Sequence, residues 1–273
     1  MKAKVLCLIL AFAPMCASAD AAKPPVKAAA LTISVERGPR PHLFPETDGE
    51  NQRRLHPRWI VSLDAAGRVV ALAPVDAPLV PAISAPLENA IRAWHFQPGA
   101  IGGRPTETKT TLALDITLVE RGADQFALRV DGARTGADLP VKGMHGVYPK
   151  FPNDALRHKQ QGMVVLRVAF DDRGHVVDAR LADGAPEIYP SLLRSAATSA
   201  RRWTLTPEVV GGRGIAGSAL VPICFEDYRE HDPTTAHTCE WNPPAGHESL
   251  GDGAIVAIDP AARLETDVVG HAL

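Results

Sequence analysis

Two stretches of the chain carry the same order of apolar and polar positions. In the first, Trp59–Leu63 alternates, Asp64-Ala65-Ala66-Gly67 interrupts the alternation, and Arg68–Pro74 resumes it. That pattern predicts a β-hairpin whose tight turn puts Gly67 where positive φ is needed. Ser84 before Ala85-Pro86 predicts an N-cap with Pro in the first helical turn. Leu87, Ile91 and Trp94 fall at i, i+4 and i+7, one face of a helix. Pro98 forbids its continuation, Gly102-Gly103 reverses the chain, and Thr108–Val119 predicts a long strand.

The order returns later. Pro152–Gln160 predicts a short helix, Met163–Phe170 a strand, Asp171-Asp172-Arg173-Gly174 the turn, and His175–Leu181 the returning strand. Pro190–Trp203 predicts a helix with Leu192, Leu193, Ala196, Ala200 and Trp203 on one side. Pro207 stops it, Gly211-Gly212 turns the chain, and Ile215–Phe225 predicts the last strand. The punctuation itself repeats: WHFQPGAIGGRP from Trp94 and WTLTPEVVGGRG from Trp203. Turn Gly to Trp spans 27 residues in the first stretch (Gly67 to Trp94) and 29 in the second (Gly174 to Trp203). Such matched spacing over four elements reads as an architectural repeat.

The fold class this predicts is α+β: two tandem small domains, each a three-stranded antiparallel sheet with a helix packed on one face. Trp94 and Trp203 are expected to anchor the two cores. The helix carries the chain back, so the third strand runs antiparallel to the first, in order 2-1-3 with the third strand at an edge. Pro222 suits an edge, because it removes a ladder donor. The expected divisions are a signal peptide at 1–19, a linker with one possible strand (Leu31–Glu36) at 20–54, and the first repeat at 55–122. A linker at 123–144 follows, holding one possible strand in QFALRVDG. The second repeat covers 145–226 and a tail 227–273, in which only Gly253–Ile258 looks structured.

The second repeat resembles the C-terminal domain of TonB. The resemblance is carried by Pro149-Lys150-Phe151-Pro152-Asn153-Asp154-Ala155, Gly162-Met163-Val164-Val165, Asp172-Arg173-Gly174-His175-Val176, and Arg202-Trp203 with Pro207. The first repeat is a more divergent copy, lacking the leading Pro-aromatic-Pro segment. The resemblance implies a non-catalytic binding module related to TonB-dependent transport. Its members couple inner-membrane energy to outer-membrane transporters, and the third strand accepts a transporter peptide as an added strand. An open edge offers unpaired N–H and C=O groups, so backbone pairing supplies the affinity. Carried over, the acceptor is Ile215, Ala216, Gly217, Ser218, Ala219, Leu220 and Val221, with a peptide of an outer-membrane transporter or another envelope protein as partner. An envelope structural protein pairing the same edges, in a homodimer or between repeats, is the alternative. AKPPVKAAA is short for a spacer that crosses the periplasm, so a soluble TonB-like binder or accessory subunit is expected rather than a lone energy transducer.

Composition adds location. Lys2 and Lys4 flank the apolar run Val5–Met15, and Ala17-Ser18-Ala19 follows, the form of a cleaved secretory signal. The run reaches roughly 16 Å as a helix, against about 30 Å of hydrocarbon. The expected location is therefore the periplasm. Cys7 and Cys16 leave with the signal, so Cys224 and Cys239 remain, and two thiols in an exported chain usually pair. Closing that loop is worth roughly 3 kcal/mol on the chain-entropy account. A zinc site of Cys224, His231, His237 and Cys239 lacks the tight ligand spacing usual for zinc, and two free thiols are the third alternative. No metal and no cofactor is expected. The net charge of −2 gives no field that would recruit nucleic acid. No catalytic residue is expected: there is no G-x-S-x-G, no phosphate-binding Gly loop ahead of a helix, and no His at the metalloprotease position after His247-Glu248. Asp171-Asp172 is assigned to its turn rather than to acid–base work. A hydrolase built on His231, Asp232 and His237 is the least favoured reading.

Overall fold

The computed structural model describes residues 41–42, 54–76, 79–122, 125–185, 187–226 and 255–273. The signal segment, the possible strand Leu31–Glu36, and Cys239 with His231, Asp232 and His237 lie outside them.

The first sheet grows from the hairpin. After β1 (Pro41–His42) and β2 (Arg54–Leu55), β3 (Arg58–Leu63) and β4 (Val69–Pro74) pair antiparallel around Gly67. Helix α1 (Pro81–Ala93) follows and buries Leu87 and Ile91, the face its periodicity predicts. Its start differs from the expected one. Pro81 opens the helix and Val80 is its N-cap, so Pro86 sits inside it, exposed. Ile83, packed on the core beside Leu87 and Ile91, holds the turn that local capping signals would leave out.

Past α1 come β5 (Phe96–Gln97), β6 (Ala100–Ile101) and β7 (Arg104–Pro105), then β8 (Thr108–Gly122) and β9 (Gln125–Gly136). Gly102 and Gly103, both at positive φ, form the two-residue turn between β6 and β7. The expected direct reversal into the third strand is therefore a small hairpin placed ahead of that strand. The possible strand QFALRVDG in the segment expected as a linker at 123–144 is β9, which runs on to Gly136 and pairs with β8 from Thr111 to Gly122.

The second sheet uses the same order. Helix α2 (Asn153–Arg157) precedes β10 (Gly162–Phe170) and β11 (Val176–Leu181). Helix α3 (Pro190–Ala200) follows, then β12 (Val209–Val210), β13 (Arg213–Gly214) and β14 (Gly217–Phe225). Gly211 and Gly212 again take positive φ between two-residue strands. Helix α3 ends three residues before Trp203, whose buried ring donates from Nε1 to the Val147 carbonyl at 2.6 Å. Order 2-1-3 holds in both places, as β4-β3-β8 and β11-β10-β14.

The hairpin turns match bond for bond. Asp64 accepts the amides of Ala66 and Arg68 at 2.9 and 3.0 Å, and Asp171 those of Arg173 and His175 at 2.9 and 2.8 Å. The Gly67 carbonyl accepts from the Phe96 amide and the Gly174 carbonyl from Leu205. A Cβ on Gly67 would lie 1.8 Å from the Phe96 carbonyl oxygen, and one on Gly174 2.0 Å from that of Leu205. In each case the chain leaving the helix is laid directly on the turn, so glycine is required by space as well as by φ.

One core lies under each helix. Val61, Leu63, Leu87, Ile91, Trp94, Phe96, Leu112 and Leu114 build the first. Val164, Leu166, Val168, Leu192, Ala196, Trp203, Val221, Ile223 and Phe225 build the second. Phe151, from the segment before α2, meets Phe225 edge to face at 5.6 Å between centroids. A third cluster lies on the far face of the second sheet, where Met163, Val165, Leu220, Cys224 and Val256 meet.

Short strands and an ion pair join the sheets. Val209 and Val210 pair with Lys109 and Thr108 of β8. Arg58 reaches from β3 to both carboxylate oxygens of Asp138, at 3.0 and 2.9 Å, and to Asp76. Asp138 in turn exchanges backbone hydrogen bonds with Thr206. Burial alone would lower the pKa of Arg58, but Asp76 and Asp138 outweigh it and hold the guanidinium firmly charged. Arg134, close by, has less compensation. Its Nη1 has no hydrogen-bond partner among the described residues, and desolvation takes its pKa down to about 10 despite Asp115 and Asp138.

The last described residues cross from one sheet to the other. β15 (Val256–Ala257) lies on β14, and β16 (Arg263–Leu264) pairs with β5. Beyond it, Val130 donates to the His271 carbonyl and Leu273 donates to the Leu128 carbonyl, closing the segment onto β9.

Candidate partner-binding edge

Strand β14 is apolar on both faces, and its alternation decides where each side chain goes. Ala219, Val221, Ile223 and Phe225 enter the core under α3. Leu220 and Cys224 point to the opposite face. A strand buried on both sides has only its backbone left to offer a partner.

The expected acceptor began at Ile215, but the strand begins at Gly217. Ile215 and Ala216 precede it, with the Ile215 amide bound to the Glu208 carbonyl at 2.8 Å. The physical cause is the β13 hairpin, which holds the backbone of Ile215 against Glu208. At Gly217 a Cβ would lie 2.9 Å from the ring of Phe170, so the strand enters the sheet over that ring. Ser218, Ala219, Leu220 and Val221 all lie on β14 as expected.

Orientation of the outer rim follows from one hydrogen bond. The Ser218 carbonyl accepts from the Ile258 amide at 2.9 Å, on the side away from β10. In an antiparallel ladder successive residues alternate sides, so Ser218, Leu220, Pro222 and Cys224 turn their backbone groups outward. Pro222 therefore places its missing N–H on the rim, where the lost donor costs no pairing with β10.

That rim is not bare, which corrects the expectation of an open third strand. β15 pairs with it, Val256 opposite Leu220 and Ala257 opposite Ala219. β1 pairs with its far end, His42 opposite Cys224 and Pro41 opposite Phe225. Between them Pro222 has no outer strand partner among the described residues. In the first sheet the correction is larger. The outer side of β8 is covered by β12 and by the 12-residue β9, so it offers no comparable rim. The sequence signal for this was present in the alternation of QFALRVDG, but periodicity does not say what a strand pairs with.

Of the expected disulfide, Cys224 is fully buried on β14. Its expected partner Cys239 lies outside the described residues.

A residue the sequence did not single out organises the neighbourhood. Glu208, buried beside β12, accepts the amides of Ala261 and Ala262 at 2.5 and 3.1 Å. Burial raises its carboxyl above the usual range, against the opposing hydrogen bonds from Ala261, Thr110 and Ala262. Thr135 on β9 donates to the Ala262 carbonyl from the other side. No helix among the described residues is long and apolar enough to cross a membrane.

The family described as Gram-negative bacterial TonB protein C-terminal matches residues 147–226, which contain α2, β10, β11, α3 and β14. Two curated proteins named Protein TonB, from two strains of Xanthomonas campestris pv. campestris, are each 31% identical to this chain over 90 residues. The match covers 33% of this chain and 40% of each relative. No solved structure gives a significant match.

Proposed function

Residues 147–226 form a TonB C-terminal domain, and from that premise we propose that this chain is an exported, non-catalytic TonB-like module that takes an extended peptide by strand addition along the outer rim of β14. The partner is a peptide of an outer-membrane transporter or of another envelope protein, and the setting is the periplasm. Residues 55–122 form a divergent tandem copy of the same unit. The observation that carries the reading is the unequal closure of the two third strands. β8 is sealed by a 12-residue strand, whereas β14 is touched on its outer side by strands of two residues each. Each short strand supplies few hydrogen bonds, so an incoming peptide has little to displace and a longer ladder to gain.

The test is amide exchange in saturating transporter peptide. The outward-facing amides of Ser218 and Leu220, held only by the short β15, are expected to gain protection beyond what β15 gives them, while Ala219 and Val221, bound along the length of β10, change little. Unchanged exchange at Ser218 and Leu220 rejects strand addition. Cys224 and Cys239 are proposed to pair and hold the end of β14 to the following segment. Intact mass without reductant should then be two hydrogens lighter than with it.

A second reading has its own observation. β4 and β11 end their sheets, with Val70 61% and Val177 66% exposed. Pairing of these edges between copies would make an envelope homodimer, and a concentration-independent monomer in sedimentation would reject it.

A further inference from the structure

The segment on the rim of β14 belongs to the chain itself, and its pairing is that of a bound peptide. Val256 and Ala257 run antiparallel to Leu220 and Ala219, and the Ile258 amide donates to Ser218. Side chains are seated as well as backbone. Val256, 4% exposed, lies on the cluster of Met163, Val165 and Leu220, and Ile255 enters the core under α3. Ala257 faces Gly136 of β9 so closely that a Cβ added to that glycine would lie 2.3 Å from its own.

The footing of this segment is elsewhere. Glu208 and Thr135 grip Ala261 and Ala262, β16 pairs with β5, and Thr266 accepts the His95 amide at 2.7 Å. Ala262 and Val268 are buried in the first core. The hold on β14 is short, a two-residue strand with Ile255 and Val256 buried, while the hold on the first sheet is broad. A segment anchored on the first sheet can lift from the rim and return without leaving the molecule, and it competes with any partner at high local concentration.

We propose that residues 255–258 are an internal occupant of the acceptor rim and that a partner peptide enters only when they lift. The partner must then reproduce their pattern: antiparallel, with a β-branched apolar side chain across from Leu220 and a small one across from Ala219. This rests on the strand-addition reading of β14. While the segment is seated, the competent state is a minor fraction of the population, and apparent affinity falls in proportion to that fraction.

The test uses the full chain and a labelled peptide, GAIVAIDP, copied from residues 253–260. Val256→Pro removes the amide facing Leu220 and is expected to raise peptide affinity by about ten-fold or more over the unsubstituted chain. Ile258→Pro, which removes the donor to Ser218, is expected to act the same way and stands in if Val256→Pro disturbs folding. A peptide with Trp in place of the residue matching Ala257 is expected to bind neither variant. Equal affinity for the unsubstituted and opened chains overturns the internal competitor while leaving strand addition intact. Equal binding of the Trp peptide overturns the size rule. Binding to none of the forms removes the acceptor rim itself, and the proposal with it.

Discussion

Two glycines and two aspartates show at residue scale why both hairpins close alike. Gly67 and Gly174 combine positive φ, 79° and 86°, with a carbonyl oxygen lying where a Cβ would go. Relaxing one constraint does not relax the other. Gly67→Ala and Gly174→Ala are each expected to lower stability by about 2–4 kcal/mol, read as a lower urea midpoint with an unchanged slope. Asp64 and Asp171 act through charge. Asp64 is held below its ordinary pKa chiefly by the Arg68 amide, then by the Arg68 side chain. For Asp171 desolvation, the largest single effect, works upward, and the amides of His175 and Arg173 with the His175 ring together outweigh it. Both folded pKa values are depressed, so the contribution is present above the unfolded carboxylate value and is lost as pH falls through the folded value. Carboxyl resonances of both residues are expected to titrate below the ordinary aspartate value, with the Arg68 and His175 amides shifting in step. Titration at the ordinary value would show that the turns hold without the charge.

Among the elements, α1 departs most from its local signals. Ser84, Ala85 and Pro86 read as a helix start, yet the helix is already running from Pro81. Pro86 has no amide for the carbonyl four residues back, and its ring crowds that carbonyl. Ile83, in the first turn, packs on the same core that buries Leu87 and Ile91 and holds that turn against the sheet. Because Pro86 is exposed and touches no core, Pro86→Ala is expected to stabilise the chain by about 1–3 kcal/mol, measurable as a raised urea midpoint. Strands were legible where alternation met a turn: β3, β4, β10 and β11 lie within a residue of their predicted bounds. The small hairpins at the Gly-Gly pairs were not, because two-residue strands have no periodicity to read.

For the whole molecule, the decisive segment is the one that returns from β14 to the first sheet. Glu208 holds it through two backbone amides while itself buried. Its folded pKa is raised by burial, so the neutral form is the one the fold favours. The contribution is fully present below the ordinary Glu value and is lost as pH rises through the folded value. Glu208→Gln, which stays neutral and keeps an acceptor, is expected to abolish that part of the pH dependence. Glu208→Ala strands two amides and is expected to cost about 1–3 kcal/mol of docking. Protection of the Ala261 and Ala262 amides, corrected for intrinsic exchange at each pH, reports both. A flat pH response in the unsubstituted chain would mean that Glu208 does not change its charge there.

The order of elements was set by local chemistry. Turn glycines at Gly67 and Gly174, Trp94 and Trp203 after each helix, and alternation in the strands act within a few residues and so are written locally. The candidate strand was legible on the same grounds. What became of its rim was not. Whether β14 stays open depends on Val256 finding Leu220, and whether β8 stays open depends on how far β9 follows it. Those pairings form between backbones, whose donors and acceptors are the same for nearly every residue type. Only the folded chain, by bringing distant segments to one edge, decided which rim was sealed and which was lightly held.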